Sequence, residues 1–418
     1  MGESEEPRDK ILSSPGNLLG RTFRAFSYRD FRLLWGGAFT SATGTWMQIV
    51  AQAWVVLELS GSAFYLGLVG FLGQLPILLF TLVGGVFADR ADRRRLLLFS
   101  QYVQLSVAVV LTILVYLDWI KVWHFLVLVF ISGSGQAFGG PAYQALIPNL
   151  VKKEDVPNAV ALNSIQFNLA RVVGPVMAGA ALASLGAVFC FGLNALSFSA
   201  VIVALFLIRT TFVPPKTRES VLIQIKGGFS YIWSKGALWQ LTVLGFVSTF
   251  CGVPLLTLLP VYAKDVFGLG ATGYSNMMAI SGAGSIAGAL LYATYSKIPS
   301  QGILTLWVQI AFAILICLFA ISRDLSISFL LLFFTGLCLI SLFASITSLV
   351  QMTTDDEMRG RMMSIFMLAF RGGMPLGDLT AGWLASQYSP TFALIVLGTL
   401  LGGCATGFLV SPSGVKKL

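Results

Sequence analysis

Long apolar segments separated by short polar connections fill nearly the whole chain. A helix needs about 20 predominantly apolar residues to cross a lipid bilayer. Twelve segments reach that length: residues 31–57, 65–88, 96–117, 124–147, 158–184, 187–208, 238–263, 272–295, 302–321, 326–349, 360–386 and 390–410. Almost no sequence remains for a water-soluble domain. The pattern therefore predicts an all-α polytopic membrane protein with twelve transmembrane helices.

The polar stretches divide these segments into two groups of six. Pro214 and Pro215 end the helix of the sixth segment. Residues 219–234, which follow them, are predicted to form a helix lying along the membrane face. The predicted organisation is a tail (1–30), a six-helix bundle (31–208), a linker (209–237), a second six-helix bundle (238–410) and a short tail (411–418).

The two groups of segments resemble each other at an offset of 200 residues. Arg171 and Pro175 in the fifth segment match Arg371 and Pro375 in the eleventh. Because each half has an even number of spans, the halves form a parallel repeat about an axis along the membrane normal. Repeats of this kind are typical of secondary transporters, which bind substrate between the halves near the bilayer midplane.

The basic residues fall mainly on one side of the predicted membrane. Charged residues make up only 11% of the chain, and the net charge is +9. If both termini are inside, most of the 27 Lys and Arg residues are inside as well, and only Lys121, Lys264 and Arg323 lie outside. Cytoplasmic loops of membrane proteins collect Lys and Arg. The sequence therefore predicts cytoplasmic termini, and its basic charge does not indicate a nucleic-acid partner.

The sequence lacks the motifs of enzymatic and metal chemistry. Its five cysteines stand singly in apolar segments, and His124 is its one histidine. It contains neither the phosphate-binding pattern GxxxxGK[ST] nor the zinc-binding pattern HExxH. We therefore expect a protein that is not an enzyme and that holds no metal and no cofactor.

The connection after the second segment carries a recognisable motif. The string GVFADRADRR, from Gly85 to Arg94, resembles the signature between the second and third helices of the major facilitator superfamily. Asp92 stands where that family often has Gly. Residues 44–68, 158–179 and 355–366 resemble the branch that contains bacterial enterobactin exporters and related multidrug or macrolide effluxers. The resemblance covers nearly the whole chain.

This resemblance implies a function as well as a fold. We expect a monomer in the bacterial cytoplasmic (inner) membrane that exports amphiphilic small molecules, such as drugs or siderophore-like metabolites, by alternating access. Its expected partners are membrane lipid, the substrate and protons as the coupling ion. One alternative is an importer or a lipid flippase on the same fold. Another is a receptor or scaffold that transports nothing, for which two arginines within spans are a costly feature.

The same motif predicts a charged latch at the cytoplasmic side. In the resembling family the acid at the place of Asp89 interacts with the start of the eleventh helix of the other half. The predicted latch residues are Gly85, Asp89, Arg90, Arg93, Arg94 and Arg361. We expect the latch to form when the cytoplasmic side is closed. The second half keeps Gly288 but has Tyr292 in place of the acid, so the device is one-sided.

Polar residues within the spans are candidates for the wall of a substrate cavity: Thr45, Gln48, Gln52, Asn168, Arg171 and Arg371. The first three share one helix face, and they bind either substrate or a neighbouring helix. Arg171 either attracts an anionic group of the substrate or ties helices together through backbone carbonyls. Gly174, Pro175 and Gly179 resemble a fifth-helix motif of the family's exporters and predict close helix packing.

Two carboxylates are candidates for proton coupling. Asp378 is the only carboxylate deep in a predicted span, and it follows Arg371 by seven residues on the same face. It either carries a proton or is a fixed partner of Arg371 or Arg171. Glu58 lies at the outer end of the first segment, where the alternative is an exposed helix end.

Overall fold

The structure is a computed structural model that describes residues 23–90, 92–209, 232, 235–295, 300–355, 358–411 and 414–418, without the side chains of 81–90 and 295. Its long helices are α1 Arg29–Ser60, α2 Ala63–Arg90, α3 Arg93–Tyr116, α4 Val122–Leu146, α5 Val156–Ser184, α6 Gly186–Leu207, α7a Gly236–Gly252, α7b Pro254–Val261, α8 Ala271–Tyr295, α9 Gln301–Ile321, α10 Leu325–Thr353, α11 Arg359–Gln387 and α12 Pro390–Val410. The described residues contain no strand. The fold is the predicted all-α polytopic one.

Ten candidate membrane spans are long and apolar enough to cross a bilayer within the described part of the chain. The two long helices outside that group are α1 and α11. Their mean hydropathy is lowered by polar side chains, namely the polar stripe of α1 and the charged Arg371 and Asp378 of α11. These two helices therefore carry side chains that are poorly suited to contact lipid.

The seventh predicted span, residues 238–263, is interrupted in the structure. Helix α7a ends at Gly252, and α7b begins at Pro254 and runs into a single π-helical turn, Tyr262–Val266. Proline has no backbone N–H and cannot continue the ladder of helical hydrogen bonds. The pair Gly252 and Pro254 is therefore the sequence signal for a break that the hydropathy pattern alone does not reveal.

Helices α1–α6 and α7a–α12, here called the first and second halves, meet through α2 against α11 and α5 against α8. Glycines make both contacts close. A Cβ atom added at Gly382 of α11 would lie 2.9 Å from Cα of Gly67 in α2, and one added at Gly179 of α5 would lie 2.7 Å from Cβ of Ser275 in α8. All four residues lie toward the outer ends of their helices, on the side opposite the predicted cytoplasmic face. The halves are therefore packed together on the outer side.

Two cavities lie in the opposite, inner halves of the helices. One has a volume of about 490 Å³ and is lined by α10 residues between Ile340 and Gln351 together with Phe370 of α11. The other, of about 620 Å³, lies between Leu78 and Leu79 of α2 and residues of α7a and α11. Within the described part of the chain, the halves are thus in close contact on the outer side, and these two cavities lie on the inner side.

In each half, an acidic residue between the fourth and fifth helices binds side chains from the segment before the first helix. In the first half, Asp155 accepts a hydrogen bond from the hydroxyl of Tyr28 at 2.7 Å and forms an ion pair with Arg24 at 3.1 Å. In the second half, Lys235 pairs with both carboxylate oxygens of Asp355, at 2.7 and 2.8 Å. The two acids stand 200 residues apart, so they occupy equivalent positions of the repeat.

The predicted linker lies largely outside the described residues, which include only Ile232 between residues 210 and 234. The predicted helix at 219–234 and the bundle boundaries at 208 and 238 therefore stay predictions.

Candidate functional site between the two halves

Arg171 lies near the middle of α5 and stacks on an aromatic ring of α1. Its guanidinium carbon is 5.5 Å from the ring centroid of Trp46, a cation–π distance. Pro175 is four residues further along and has no N–H to donate to the carbonyl of Arg171. That carbonyl faces α8, where a Cβ atom added at Gly282 would lie 3.0 Å from its oxygen. Arg171 thus stands where α1, α5 and α8 converge.

Arg371 lies at the equivalent place in α11, and its side chain is exposed. It stands between Phe370, which lines the smaller cavity, and Gly372, which lines the larger one. No ion pair joins Arg371 to any acid among the described residues. The guanidinium is therefore open to whatever occupies the space beside α11.

Asp378 is buried at the contact between the halves, with 5% of its surface exposed. Its carboxylate accepts a hydrogen bond from the hydroxyl of Thr257 in α7b at 2.6 Å. Across the contact, a Cβ atom added at Gly70 of α2 would lie 2.7 Å from the same carboxylate. Within the described part of the chain, no cation pairs with it, neither Arg371 nor Arg171. A carboxylate in this setting is neutral or it costs energy.

The polar stripe of α1 contacts another helix at one of its positions. The side-chain amide of Asn194 in α6 donates to Gln48 at 2.7 Å. At this residue the structure favours the bond between helices, the alternative that the sequence left open. Thr45 and Gln52 are half-buried on either side of it. Asn168 donates to the carbonyl of Ser164 one turn earlier in α5.

Glu58, the other candidate acid, is exposed at the outer end of α1. It accepts a hydrogen bond from the indole N–H of Trp54 in the same helix at 2.8 Å. This position matches an ordinary helix end, because the residue is exposed and its described hydrogen bond is made within its own helix.

The predicted packing motif of α5 lies in contacts that glycine makes possible. Gly174 is buried against the backbone of α1, where an added Cβ atom would lie 2.8 Å from the carbonyl oxygen of Thr43. Gly179 faces α8 of the other half, and Pro175 is buried between them. The geometry suits the close packing that the motif predicts.

The predicted latch falls partly outside the described side chains. Gly85, Asp89 and Arg90 belong to the end of α2, of which only the backbone is described. Arg93 donates to the carbonyl of Ala145 in α4, and Arg94 donates to that of Phe206 in α6. Both bonds hold the start of α3 to its own half. Arg361 contacts the sulfur of Met358 one turn earlier.

Sequence reasoning did not find Thr257, Trp46 or Asn194 as partners of the candidate residues. Each is separated from its partner by more than 100 residues, so only the tertiary fold brings the pairs together. A weak signal existed for Thr257, because it is a polar residue in an apolar half-helix that begins with proline. Among the described residues, no three His, Cys, Asp or Glu side chains cluster closely enough to hold a metal ion.

A repeat of six helices, an outer contact between halves and cavities on the inner side define a multi-pass secondary transporter. The match to a family model, the transmembrane secretion effectors of the major facilitator superfamily, extends over residues 21–413. The chain therefore belongs to that family, whose members are transporters and not enzymes.

The chain is similar to bacterial efflux proteins along most of its length. It is 29% identical to the multidrug efflux pump Tap of Mycolicibacterium fortuitum, over 89% of this chain and 93% of the pump. It is 24% identical to the enterobactin exporter EntS of Salmonella typhi, over 84% of this chain and 83% of the exporter. Among solved structures, a D-xylose–proton symporter superposes with a TM-score of 0.73 at 14% identity, over 93% of this chain and 99% of that one. That last likeness shows the fold alone.

Proposed function

We propose that the protein exports an amphiphilic small molecule in exchange for protons, with Asp378 as the proton carrier. The observation that supports this most directly is a buried carboxylate, bonded only to the hydroxyl of Thr257 among the described residues, at the contact between the halves. We infer export and not import because the similar proteins include an efflux pump and an exporter.

The placement of Asp378 gives the proton a defined effect. Burying an ionised carboxylate without a cation costs several kcal/mol, whereas burying the protonated acid with a hydrogen bond costs far less. A proton taken from the outer side therefore favours closing α2 against α11. Loss of that proton to the inner side leaves a buried charge, which favours reopening the outer side. One proton enters and one substrate leaves in each cycle.

The larger inner cavity suits the apolar part of such a substrate. Its lining includes Trp239 and Phe246 of α7a, Leu368 of α11 and Leu79 of α2. A cavity lined by apolar and aromatic side chains binds large planar or hydrophobic solutes with few directed hydrogen bonds. A substrate held here touches both halves, so its presence affects how the halves move.

The test is transport in proteoliposomes with an imposed pH gradient. We expect Asp378→Asn to abolish transport driven by the gradient and to keep exchange of substrate for substrate, which needs no proton. Glu58→Gln is the matched control, an acid-to-amide change at an exposed site, and should keep gradient-driven transport. Gradient-driven transport by Asp378→Asn at the wild-type rate would contradict the role of Asp378. An uncoupler that leaves wild-type transport unchanged would overturn proton coupling itself.

A second candidate is transport of a membrane lipid. The observation in its favour is the larger cavity, which is apolar and lies between α2 of the first half and α7a and α11 of the second. The same proteoliposomes distinguish the two functions if a fluorescent phospholipid is placed in one leaflet. Under the export proposal its transfer between leaflets proceeds no faster than in protein-free vesicles.

A further inference from the structure

Two arginines occupy equivalent positions of the two halves, near the middle of the membrane. Arg171 and Arg371 stand 200 residues apart and near the centres of two helices of 29 residues each, α5 and α11. These are the helices through which the halves meet. Arg371 is also two helical turns from Asp378, which packs against α2 of the other half. Both arginines therefore lie close to the junction of the halves.

Neither arginine is neutralised by an acid of the described chain. Where both side chains are described, the ion pairs involve Arg24, Arg29, Arg95 and Lys235, all outside the middle of the membrane. Asp378 is the one carboxylate in the middle of a described helix, and it is taken by Thr257. A guanidinium in a spanning segment is costly unless it has a partner. An anion supplied by a ligand would offset that cost.

An aromatic ring lies against Arg171, and an aromatic residue precedes Arg371 in the sequence. The ring of Trp46 lies under Arg171, and Phe370, next to Arg371 in sequence, stacks edge-on against Phe343 at 4.7 Å between ring centroids. Phe343 and Phe370 both line the smaller cavity. Arg171 thus offers positive charge beside a flat aromatic surface, and a planar guanidinium binds carboxylate, sulfonate or phenolate groups through paired hydrogen bonds.

We propose that the substrate is an anionic aromatic amphiphile whose acidic groups bind Arg171 and Arg371 from the two halves. An amphiphilic cation of the same ring system is repelled by the same two charges. The inference rests on the proposed transport function, which it narrows from amphiphiles in general to anionic ones. It also assigns one arginine of the binding site to each half of the protein. A bound substrate therefore contacts both halves, which move relative to each other during transport.

A pair of dyes that share one ring system but differ in charge provides the test. Fluorescein is an anionic xanthene, and tetramethylrhodamine methyl ester is a cationic one. Binding of each to the purified full-length protein in lipid nanodiscs is followed by fluorescence anisotropy. We expect fluorescein to bind at least about tenfold more tightly than the cation, the effect of one charge-assisted hydrogen bond.

The arginine variants separate recognition from folding. Arg171→Gln and Arg371→Gln should each weaken fluorescein binding about ten- to hundredfold, because each removes charge-assisted hydrogen bonds. Neither should weaken binding of the cationic dye. Arg171→Lys and Arg371→Lys keep the charge and should recover part of the affinity. Arg323→Gln, in an outer loop where Arg323 bonds to backbone carbonyls, is the control and should bind like wild type.

Any of three results would overturn the proposal. They are equal affinity for the two dyes, absence of saturable fluorescein binding, and wild-type affinity in both glutamine variants when these elute as monodisperse protein. Binding is measured without a pH gradient, so it does not depend on Asp378 carrying a proton. If the protein binds the anion but its transport does not respond to the pH gradient, the proposed coupling mechanism is wrong and the inference about the substrate is still supported.

Discussion

Gly174 sets the distance between α5 and α1 near the middle of the membrane. Its missing side chain lets the backbone of α5 lie against Cβ of Trp46 and the carbonyl of Thr43. Trp46 in turn carries the guanidinium of Arg171 on its ring. One glycine therefore controls both the packing of two helices and the position of a candidate substrate-binding charge.

Gly174→Ala is expected to destabilise the protein by about 1–3 kcal/mol, because the new methyl group meets backbone atoms that cannot turn aside. The measurement is thermal unfolding of the purified protein in detergent. Gly403→Ala is the matched control, since an added Cβ atom there meets nothing within 4 Å. Alanine favours a helix over glycine, so the control should be neutral or slightly more stable. Equal midpoints for the two variants would contradict the packing role of Gly174.

For single residues, the sequence identifies candidates for function but does not show which residues they contact. Asp378, Arg171 and Arg371 stand out because charged side chains within apolar spans are rare and costly. Their partners do not stand out, since they depend on which helix faces which. Gln48 is an example of a residue whose partner the sequence does not reveal. A polar stripe of helical period suits a cavity wall and a helix contact equally well, and only the neighbouring Asn194 of α6 decides between them.

The contacts made by Asp155 and Asp355 differ in burial, although the two acids occupy equivalent positions of the repeat. The side chain of Asp155 is 4% exposed, whereas that of Asp355 is 63% exposed. The hydrogen bond from Tyr28 to Asp155 raises the pKa of the tyrosine above its ordinary value, because ionising the phenol would put a second negative charge beside the carboxylate. The carboxylate of Asp155 is thus buried and is bound by two donors, Tyr28 and Arg24.

We therefore expect Asp155→Ala to cost more stability than Asp355→Ala. Removing a buried carboxylate that accepts hydrogen bonds should cost about 1.5–3 kcal/mol. An exposed ion pair such as Lys235 with Asp355 is worth less than about 1 kcal/mol. Unfolding midpoints of the two variants, compared at low and high salt, give the measurement, and only the smaller effect should depend strongly on salt. A larger loss at Asp355 would show that burial is not what sets the strength of these contacts.

Hydropathy locates each long helix that the structure describes to within a few residues, since the lengths are dictated by the thickness of the bilayer. It missed the break between α7a and α7b, since Gly252 and Pro254 disturb the backbone without lowering the hydropathy. The break places Thr257 on a separate half-helix that contacts Asp378. The residues Gly252 and Pro254 therefore determine this interruption of a described span, and the half-helix that follows it is part of the candidate site.

In the molecule as a whole, several of the described contacts between the halves lie on the outer side of the membrane. The glycine contacts of α2 with α11, the pair Gly179 and Ser275, and the stacked rings of Trp54 and Tyr274 all lie on the outer side. Both cavities lie on the inner side. In an alternating-access cycle the inner contacts must form when the outer ones break. The sequence supplies a candidate for the inner contact in the latch motif around Asp89.

The latch predicts that removing the charge of Asp89 favours the state open to the cytoplasm. Asp89→Asn should therefore raise labelling of a cysteine at position 348, since Ser348 lines an inner cavity on α10. The assay uses a membrane-impermeant maleimide on inside-out vesicles, with the native cysteines replaced by alanine, and a severalfold faster reaction is expected. Asp118→Asn is the control, an exposed acid in the outer loop after α3 that should leave the rate unchanged. The second half has no acid at the position equivalent to Asp89, so no second latch can replace the one that is lost. An unchanged labelling rate in Asp89→Asn would therefore mean that contacts other than the latch close the cytoplasmic side.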